Sequence, residues 1–364
     1  MWGNIAIAFL LAFIVSFMAT PYTIKIAKKV GAVSIEKGKR RMHNRQMPKF
    51  GGPAVILGFL VSVGYLLIVM SLEGGINLFG EEQYGKKLLG MLLGIIVLAI
   101  TCIIDDIKTI KPLTKLSGQL LAAIIVISFG IRIDDITLPF LPTHELNEIF
   151  SYILTLGWIV GITNAINLID GLDGLSSGIA SIYFLTIGVI AMLLNNSNGL
   201  DIILTFIMLG STLGFLVHNF NPAKIFMGDS GSMFLGYIIA VIALLGFKNI
   251  TLTSFLVPML LLAIPIMDTL FAIIRRKLKG QSIDHADKEH LHHQLLKHFS
   301  KKSSLLVIYA INIMFSATTI FYVLGDKKIV AFCYVILMFI VLYFVLKTNI
   351  IFDWSKPKEK EKKK

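Results

Sequence analysis

Long apolar stretches recur along almost the whole chain, and they restrict its possible folds more than any other feature of the sequence. Hydrophobic residues make up 55% of the 364 positions, and the mean hydropathy is +0.79. A fold surrounded by water could not bury this much apolar surface, so lipid must solvate most of the chain. A window of about 19 residues predicts an all-α polytopic membrane protein with about eleven transmembrane helices. Their approximate ranges are 3–23, 50–70, 87–104, 116–131, 149–166, 175–194, 200–217, 230–247, 251–274, 304–323 and 329–347.

Basic residues are distributed unevenly over the loops between these spans. Eleven spans place the termini on opposite sides of the membrane, and 28 of the 34 lysines and arginines fall in one set of loops and the C-terminal tail. Cytoplasmic loops carry the excess of these residues, so the N-terminus is predicted outside and this set inside. We expect one transmembrane domain over 1–347 and a basic, disordered cytoplasmic tail over 348–364. The cytoplasmic loops are 24–49, 105–115, 167–174, 218–229 and 275–303.

Net charge and cysteine content narrow the function classes. The net charge of +12 comes from residues that lie between apolar spans and form no folded basic module, so nucleic acid is not an expected partner. Cys102 and Cys333 lie in apolar stretches without a CxxC partner, which argues against a disulfide or a metal–thiolate site. The stretch 1–22 has no basic n-region and no small-residue cleavage site, so we expect a retained helix and not a signal peptide.

Two acidic motifs lie at span ends on the predicted cytoplasmic side. Asp105 and Asp106 end the third span. Adjacent carboxylates there repel each other and lose hydration, so a cation such as Mg²⁺ or a lysine is expected beside them. A pair of water-facing charges at a helix end is the alternative. Asp229 starts the eighth span in NFNPAKIFMGDSGS. It either caps that helix, or Ser230 or Ser232 caps it and Asp229 binds metal.

Asparagine and aspartate recur at three-residue spacing in NAINLIDGLDGL, which follows the fifth span. The residues are Asn164, Asn167, Asp170 and Asp173, and the last three would share a connected face at a helix end. Polar groups packed this densely between two apolar spans are costly unless they bind something. A polar turn rich in aspartate and glycine is the alternative.

A histidine cluster, DHADKEHLHHQLLKH, lies in the long loop after the ninth span. His290, His292 and His293 form its centre, and Arg275 and Arg276 precede it. A zinc site is one interpretation, but the HExxH pattern is absent. Imidazoles beside basic side chains suit an anionic, phosphate-containing substrate better.

The sequence does not decide the roles of two further features, an aspartate in the ninth span and a proline–glycine turn before the second span. Asp268 lies near the end of the ninth span, where an ionisable group either serves function or bonds to neighbouring helices. The segment PKFGGP, which begins at Pro48, is a rigid proline–glycine turn that could bring backbone close to a ligand.

These motifs, in this order, resemble the polyprenyl-phosphate N-acetylhexosamine-1-phosphate transferases. The resemblance covers nearly the whole chain, from His43 to His293, with five motifs on successive cytoplasmic loops. The family contains phospho-MurNAc-pentapeptide translocases and GlcNAc-1-phosphate transferases. The patterns HLHH and MPKFGG are similar to the second branch, whereas translocases carry three consecutive histidines and a TPTMGG-type entry to the second span. Eleven helices with a cytoplasmic tail also resemble the second branch.

The resemblance implies a reaction and roles for matching residues. It implies transfer of GlcNAc-1-phosphate from UDP-GlcNAc to undecaprenyl phosphate with release of UMP, as the first membrane step of a cell-envelope polysaccharide. Direct attack by the lipid phosphate is favoured over a phospho-aspartate intermediate. Asp229 and Asp105 are implied as ligands of Mg²⁺, with Mn²⁺ as an alternative. The implied catalytic residues are Asp105, Asp106, Asp170 and Asp173. The implied substrate contacts are Lys115, Asn164, Asn167, Asn219, Phe226, Arg275, Arg276, His290, His292 and His293.

Other classes fit the sequence less well. A transporter would carry ionisable residues at mid-span and inverted repeats, and the sequence shows no such repeat. A CDP-alcohol phosphotransferase would carry the pattern DGxxAR…GxxxDxxxD, which the sequence lacks. A purely structural membrane protein would not need this one-sided polar surface. A phospho-MurNAc-pentapeptide translocase is the nearest alternative. The implied setting is the bacterial inner membrane, with several passes, a cytoplasmic active site, contact with membrane lipid and homodimers.

Overall fold

The computed structural model describes most of the apolar part of the chain. The described residues are 2–36, 45–73, 84–136, 144–194, 200–246, 256–278, 280 and 290–325, with four helical positions between 332 and 339. Within them the chain forms twelve α-helices and four short strands. The helices are α1 Trp2–Val30, α2 Gly52–Glu73, α3 Tyr84–Ile107, α4 Pro112–Ser128, α5 Glu148–Ile169, α6 Leu175–Leu193, α7 Leu200–Asn219, α8 Gly228–Gly246, α9 Leu256–Leu261, α10 Ala263–Leu278, α11 Leu291–Leu295 and α12 Lys301–Leu324.

Four strands form two short antiparallel hairpins. The first pairs β1 (Val33–Glu36) with β2 (Arg45–Pro48), and the second pairs β3 (Asp135–Ile136) with β4 (His144–Glu145). The hydropathy pattern did not predict these strands. The first hairpin joins α1 to α2, and the second lies between α4 and α5.

Among the described residues, eight helices are long and apolar enough to cross a membrane, which confirms a polytopic helical fold. They are α1, α2, α3, α5, α6, α7, α8 and α12. The predicted fourth span, 116–131, is a 17-residue helix that begins earlier, at Pro112, because proline suits the first helical position. It ends before Gly130, whose φ of +85° stops the helix.

The predicted ninth span, 251–274, is divided into α9 and α10. Pro265 lacks the N–H that would bond to the Leu261 carbonyl, so the helix is interrupted at Leu262. Bonds from Leu262 to Pro258 and from Ile266 to Leu262, both 3.0 Å, carry the chain through the break. The predicted span 329–347, apart from four helical positions, and the tail 348–364 lie outside the described residues.

Helix α8 lies at the centre of the bundle. Every residue from Ser230 to Leu245 is buried, and the helix contacts α2, α3, α5, α6 and α7. Small residues permit close packing between neighbours. Gly236 of α8 lies against the backbone of Thr163 in α5, and a Cβ at Gly236 would collide with it.

Loops from distant parts of the sequence meet at one end of the bundle, called here the site end. The last residues of α3 and α5 meet the first residues of α8. The first turn of α6 contacts the end of α7, and the start of α2 bonds to the segment before α8. The bundle therefore gathers the motifs at positions 105–115, 164–174 and 219–232 at this end.

Candidate active site

Asp106 caps α8 from a different helix. Its Oδ1 accepts from Asp229 N at 2.9 Å, and its Oδ2 accepts from Ser230 N at 3.0 Å and from the Ser230 hydroxyl. The carboxylate thereby satisfies free amides at the positive end of the helix. The sequence left open a cap by Asp229 or a cap by Ser230 or Ser232. Neither describes these two amides, because Asp106 of a neighbouring helix supplies their acceptors. The Asp229 carboxylate is consequently not needed for capping.

Gly228 allows this cap to form. Its φ is +73°, a region that favours glycine. A Cβ at Gly228 would lie 2.9 Å from both Asp106 carboxylate oxygens. The glycine before Asp229 in the GDSG motif is therefore required by the approach of Asp106.

Lys115 connects two carboxylates from different helices. Its Nζ lies 2.7 Å from Asp105 Oδ2 and also donates to Asp229 Oδ2. The other Asp105 oxygen accepts from Ile110 N at 2.9 Å. The Asp105 side chain is 4% exposed and that of Asp229 30%, so Asp229 is the more accessible carboxylate.

Asn167 brings the end of α5 to the same point. Its Nδ2 donates to Asp229 Oδ1 at 3.2 Å and to Ser232 Oγ at 2.8 Å. Ser232 in turn donates to the Gly228 carbonyl at 3.0 Å. The carboxylate–lysine cluster, defined as Asp105, Lys115, Asn167 and Asp229, is thus built from α3, α4, α5 and α8.

The loop after α5 carries a carboxyl group with a strongly altered pKa. Desolvation raises the pKa of Asp170 to about 8. The Ser176 hydroxyl, which donates to Asp170 Oδ1 at 2.5 Å, opposes this shift, and the charges of Asp229, Asp106 and Asp173 add to it. Near neutral pH, this shift keeps Asp170 largely protonated.

Asp173 ties this loop to the loop after α7. Its Oδ2 accepts from Asn221 Nδ2 at 2.8 Å and from Ala223 N at 3.2 Å. The Tyr309 hydroxyl of α12 donates to the Gly174 carbonyl on the other side of the loop. Asp173 therefore bonds to protein groups, and its catalytic role stays a prediction.

Two predicted substrate contacts have amides that bond to protein groups. Asn164 and Gln119 of α4 donate to each other at 2.7 and 3.3 Å. Asn219 accepts from Ser177 Oγ at 2.7 Å and donates to the Ile225 carbonyl at 2.9 Å. Both amides hold structural elements together, and their contacts with substrate stay predictions.

The PKFGGP turn supports the segment before α8. Phe226 N donates to the Pro48 carbonyl at 2.8 Å, and Gly51 N donates to the Phe226 carbonyl at 3.1 Å. Gly52 N donates to the Met227 carbonyl at 2.9 Å. The turn therefore brings its backbone close to the backbone of Phe226, and the Phe226 side chain is partly exposed.

The histidine motif lies against the loop after α5. His292 is 2% exposed, and within the described residues neither ring nitrogen has a hydrogen-bond partner. Desolvation, aided by the charges of His293 and His290, lowers its pKa to about 4, so the ring is neutral. A Cβ at Gly171 would collide with His292 Nε2, which places the ring directly beside the loop.

The remaining predicted residues lie near this motif. The His293 ring lies 4.2 Å from that of His292. Arg275 and Arg276 are buried in the last turn of α10, where positive charge complements the helix dipole. Their substrate contacts stay predictions.

Gln119 and Tyr309 were missed in the sequence. Gln119 lies in an otherwise apolar part of α4, so it required a polar partner and could have been identified. The sequence did not mark Tyr309, because the partner of its hydroxyl, the Gly174 carbonyl, lies 135 positions away along the chain.

Known proteins that are similar to this chain identify its family. A family model described as glycosyl transferase family 4 matches residues 88–247. A Bacillus subtilis protein named "Probable undecaprenyl-phosphate N-acetylglucosaminyl 1-phosphate transferase" is 38% identical over 97% of this chain and 95% of its own. A decaprenyl-phosphate N-acetylglucosaminephosphotransferase of Mycolicibacterium smegmatis is 32% identical over 90% and 85%. A phospho-N-acetylmuramoyl-pentapeptide-transferase of Streptococcus thermophilus is 34% identical over 65% and 71%. The chain is a polytopic membrane protein and belongs to glycosyl transferase family 4.

Proposed function

We propose that this chain transfers GlcNAc-1-phosphate from UDP-GlcNAc to undecaprenyl phosphate, forming undecaprenyl-diphospho-GlcNAc and UMP. The observation that carries the proposal is the carboxylate–lysine cluster at the start of α8, built from four helices of a membrane bundle. The name of the Bacillus subtilis relative, which matches almost the full chain, supports this donor sugar and acceptor.

The site end suits the meeting of three phosphates. Helices α2, α4, α6 and α8 begin there, and their N-terminal ends carry partial positive charge that favours anions. The acceptor's polyprenyl chain must stay in lipid while the nucleotide stays in water. A reaction between them therefore belongs at a membrane surface, and the excess of lysine and arginine favours the cytoplasmic one.

The cluster fits a divalent cation. Asp105 Oδ2 and Asp229 Oδ2 converge on the Lys115 ammonium group, which marks a position where positive charge is stabilised. Within the described ranges, no group of three or more His, Cys, Asp or Glu side chains could hold a metal. Mg²⁺ commonly takes one or two carboxylates and completes its shell with water and phosphate oxygens. Asp105 and Asp229 would therefore hold Mg²⁺ or Mn²⁺, which would supply charge neutralisation for phosphoryl transfer.

The contacts divide the work between the paired aspartates. Both Asp106 oxygens accept bonds from the start of α8, so Asp106 positions Asp229 and does not take a proton. Asp105 Oδ1 accepts from Ile110 N, but the partner of Oδ2 is the Lys115 side chain, which can move away. Asp105 is therefore the carboxylate of the pair that can accept a proton from the lipid phosphate. An oxygen of that phosphate attacks the β-phosphorus, the bond to the bridging oxygen breaks, and UMP leaves. Lys115 can turn from the carboxylates to the phosphates.

UMP release by the purified protein tests this function. The protein in detergent is given Mg²⁺ and undecaprenyl phosphate with either UDP-GlcNAc or UDP-MurNAc-pentapeptide. Release from UDP-GlcNAc alone is expected. Release from the pentapeptide donor alone would support the same class of reaction and show that the proposed donor sugar is wrong. Release from neither donor would contradict the proposal and favour the hypothesis that the chain is a transporter.

A pair of matched variants connects activity to the cluster. Asp229→Asn should abolish release, since it removes a proposed metal ligand. Asp134→Asn is the control. Asp134 bonds to Arg132 at 2.7 Å near the start of α5, at the end of the bundle away from the cluster, and its loss should leave release unchanged.

A further inference from the structure

Asp268 is a buried acidic residue in α10 that has no part in the mechanism above. It is 5% exposed, so its carboxylate needs strong compensation. Its Oδ2 lies 2.9 Å from His290 Nδ1, and its Oδ1 accepts from Leu291 N at 2.8 Å. Both oxygens therefore bond to adjacent residues of one segment, the start of α11.

These contacts fix both the backbone and the ring of His290. The bond to Leu291 satisfies a free amide at the first position of α11. The bond to the ring holds the proton on Nδ1, because a carboxylate can only accept. Of the two roles left open by the sequence, bonding between neighbouring spans and service to the site, the geometry favours the second.

The held ring is the first of three that lead to the loop after α5. The rings of His290 and His292 are nearly parallel, with centroids 5.8 Å apart and planes inclined by 4°. The His293 ring lies 4.2 Å from that of His292, with the two planes inclined by 44°. Gly171 leaves room for His292 Nε2, and the loop it belongs to carries Asp170.

We propose that Asp268 is a positioning residue that acts through His290. By holding Nδ1 of that ring and the first amide of α11, it fixes the three histidine rings so that a ring nitrogen of His292 faces the nucleotide-sugar. The inference rests on the proposed function, because its effect is measured on sugar-1-phosphate transfer. A residue that merely stabilises the fold would change the amount of active protein, and a positioning residue changes the reaction of each folded molecule.

A double-mutant cycle tests the proposal. Asp268→Asn and His290→Gln are made singly and together, and kcat and KM are measured by UMP release for both substrates. Asp268→Asn should lower kcat/KM about 10- to 100-fold, the loss seen when histidine ligands of metals lose a carboxylate partner. The change should fall on kcat and on KM for UDP-GlcNAc, and KM for undecaprenyl phosphate should stay the same. In the His290→Gln background, adding Asp268→Asn should lower kcat/KM by less than about threefold, because the ring through which Asp268 acts is already absent.

Two further variants keep the test decisive if Asp268→Asn folds poorly. Asp268→Glu keeps two acceptor oxygens and should retain more activity than Asp268→Asn. Asp201→Asn removes a comparably buried aspartate in the first turn of α7, which is 2% exposed. It should leave kcat/KM per folded molecule unchanged even if the yield falls.

The outcomes separate this inference from the proposed function. If the unaltered protein releases UMP and the losses from Asp268→Asn and His290→Gln multiply, Asp268 does not act through His290. Activity of Asp268→Asn within twofold of the unaltered protein would also overturn the inference. If the unaltered protein releases no UMP from any donor, the proposed function fails and the inference fails with it.

Discussion

Replacing Asp106 with alanine removes the group that caps α8, and the loss of stability can be worked out from its bonds. Two backbone amides, those of Asp229 and Ser230, lose their acceptor. The Ser230 amide is buried, and a buried donor without a partner costs about 1–3 kcal/mol. The Asp229 amide is partly buried and should cost about 1 kcal/mol or less, because water can replace part of the lost bond. Removal of the buried charge relieves its own desolvation. We therefore expect Asp106→Ala to lower the free energy of unfolding by about 1.5–3 kcal/mol.

Asp105→Ala should behave differently. Lys115 keeps its bond to Asp229, and the amide of Ile110 is only partly buried, so water can replace the lost acceptor. The expected loss in the free energy of unfolding is about 0.5–1.5 kcal/mol, the usual net contribution of a hydrogen bond. Activity should nevertheless disappear, because Asp105 is the proposed metal ligand and proton acceptor.

Unfolding in mixed micelles with a denaturing detergent, beside UMP release, measures both effects. Ser230→Ala is the control for the cap. It removes one hydroxyl donor and leaves both amide bonds to Asp106, so it should cost about 0.5–1.5 kcal/mol. If Asp106→Ala unfolds within about 1 kcal/mol of the unaltered protein and still has no activity, Asp106 acts chemically and the capping argument is wrong.

Three other changes test separate parts of the site. Lys115→Met removes the positive group between two carboxylates, so Mg²⁺ should raise its melting temperature more than that of the unaltered protein; an equal rise would count against the metal position. Gly171→Ala places a Cβ against the His292 ring and should lower kcat/KM at least about tenfold, whereas Gly161→Ala, which meets nothing within 4 Å, should match the unaltered protein in the same UMP assay. Burial raises the pKa of Asp170 to about 8 from 3.8, so the folded state holds its proton more tightly and the free energy of unfolding should fall as pH rises from 4 to 8. Asp170→Asn resembles the protonated form and should flatten that dependence in melting curves, and an unchanged slope would refute the assignment.

The helical bundle was largely predictable because each span is a local property of the sequence. In the part of the chain that the structure describes, eight predicted spans appear as helices long enough to cross the membrane. Two of the differences come from proline. Pro112 starts α4 early, and Pro265 divides the ninth span, because a hydropathy window averages over residues and does not register a missing N–H. Helix-breaking residues therefore shifted the boundaries and left the class of fold unchanged.

The candidate site was predictable in composition but not in the roles of its members. Asp105 and Asp106 are adjacent on a helix and project about 100° apart. One consequently meets Lys115 of α4, and the other meets the start of α8. Whether Asp105 or Asp106 meets Lys115 depends on how α3 is rotated about its axis against its neighbours. The local sequence does not determine that rotation. The same holds for Asp268, whose partner His290 lies 22 positions away.

The site end stabilises its acidic groups in three different ways, and the difference bears on how substrate enters. Asp106 is held by the amides of α8, and a ligand could displace it only by uncapping that helix. Asp170 avoids charge by keeping its proton at neutral pH. Asp105 and Asp229 share the ammonium group of Lys115, which sits on a flexible side chain and can leave without disturbing a helix. If a divalent cation took the place of Lys115 between Asp105 and Asp229, the Lys115 ammonium group would be free to pair with the phosphates of the nucleotide-sugar. Both steps keep the charge balanced, because the metal replaces Lys115 and Lys115 then pairs with phosphate. We therefore expect the metal and the nucleotide-sugar to bind cooperatively, so that titration of Mg²⁺ at increasing UDP-GlcNAc concentrations shows an increasing affinity for Mg²⁺. An Mg²⁺ affinity that does not depend on UDP-GlcNAc would mean that Lys115 does not leave the carboxylates.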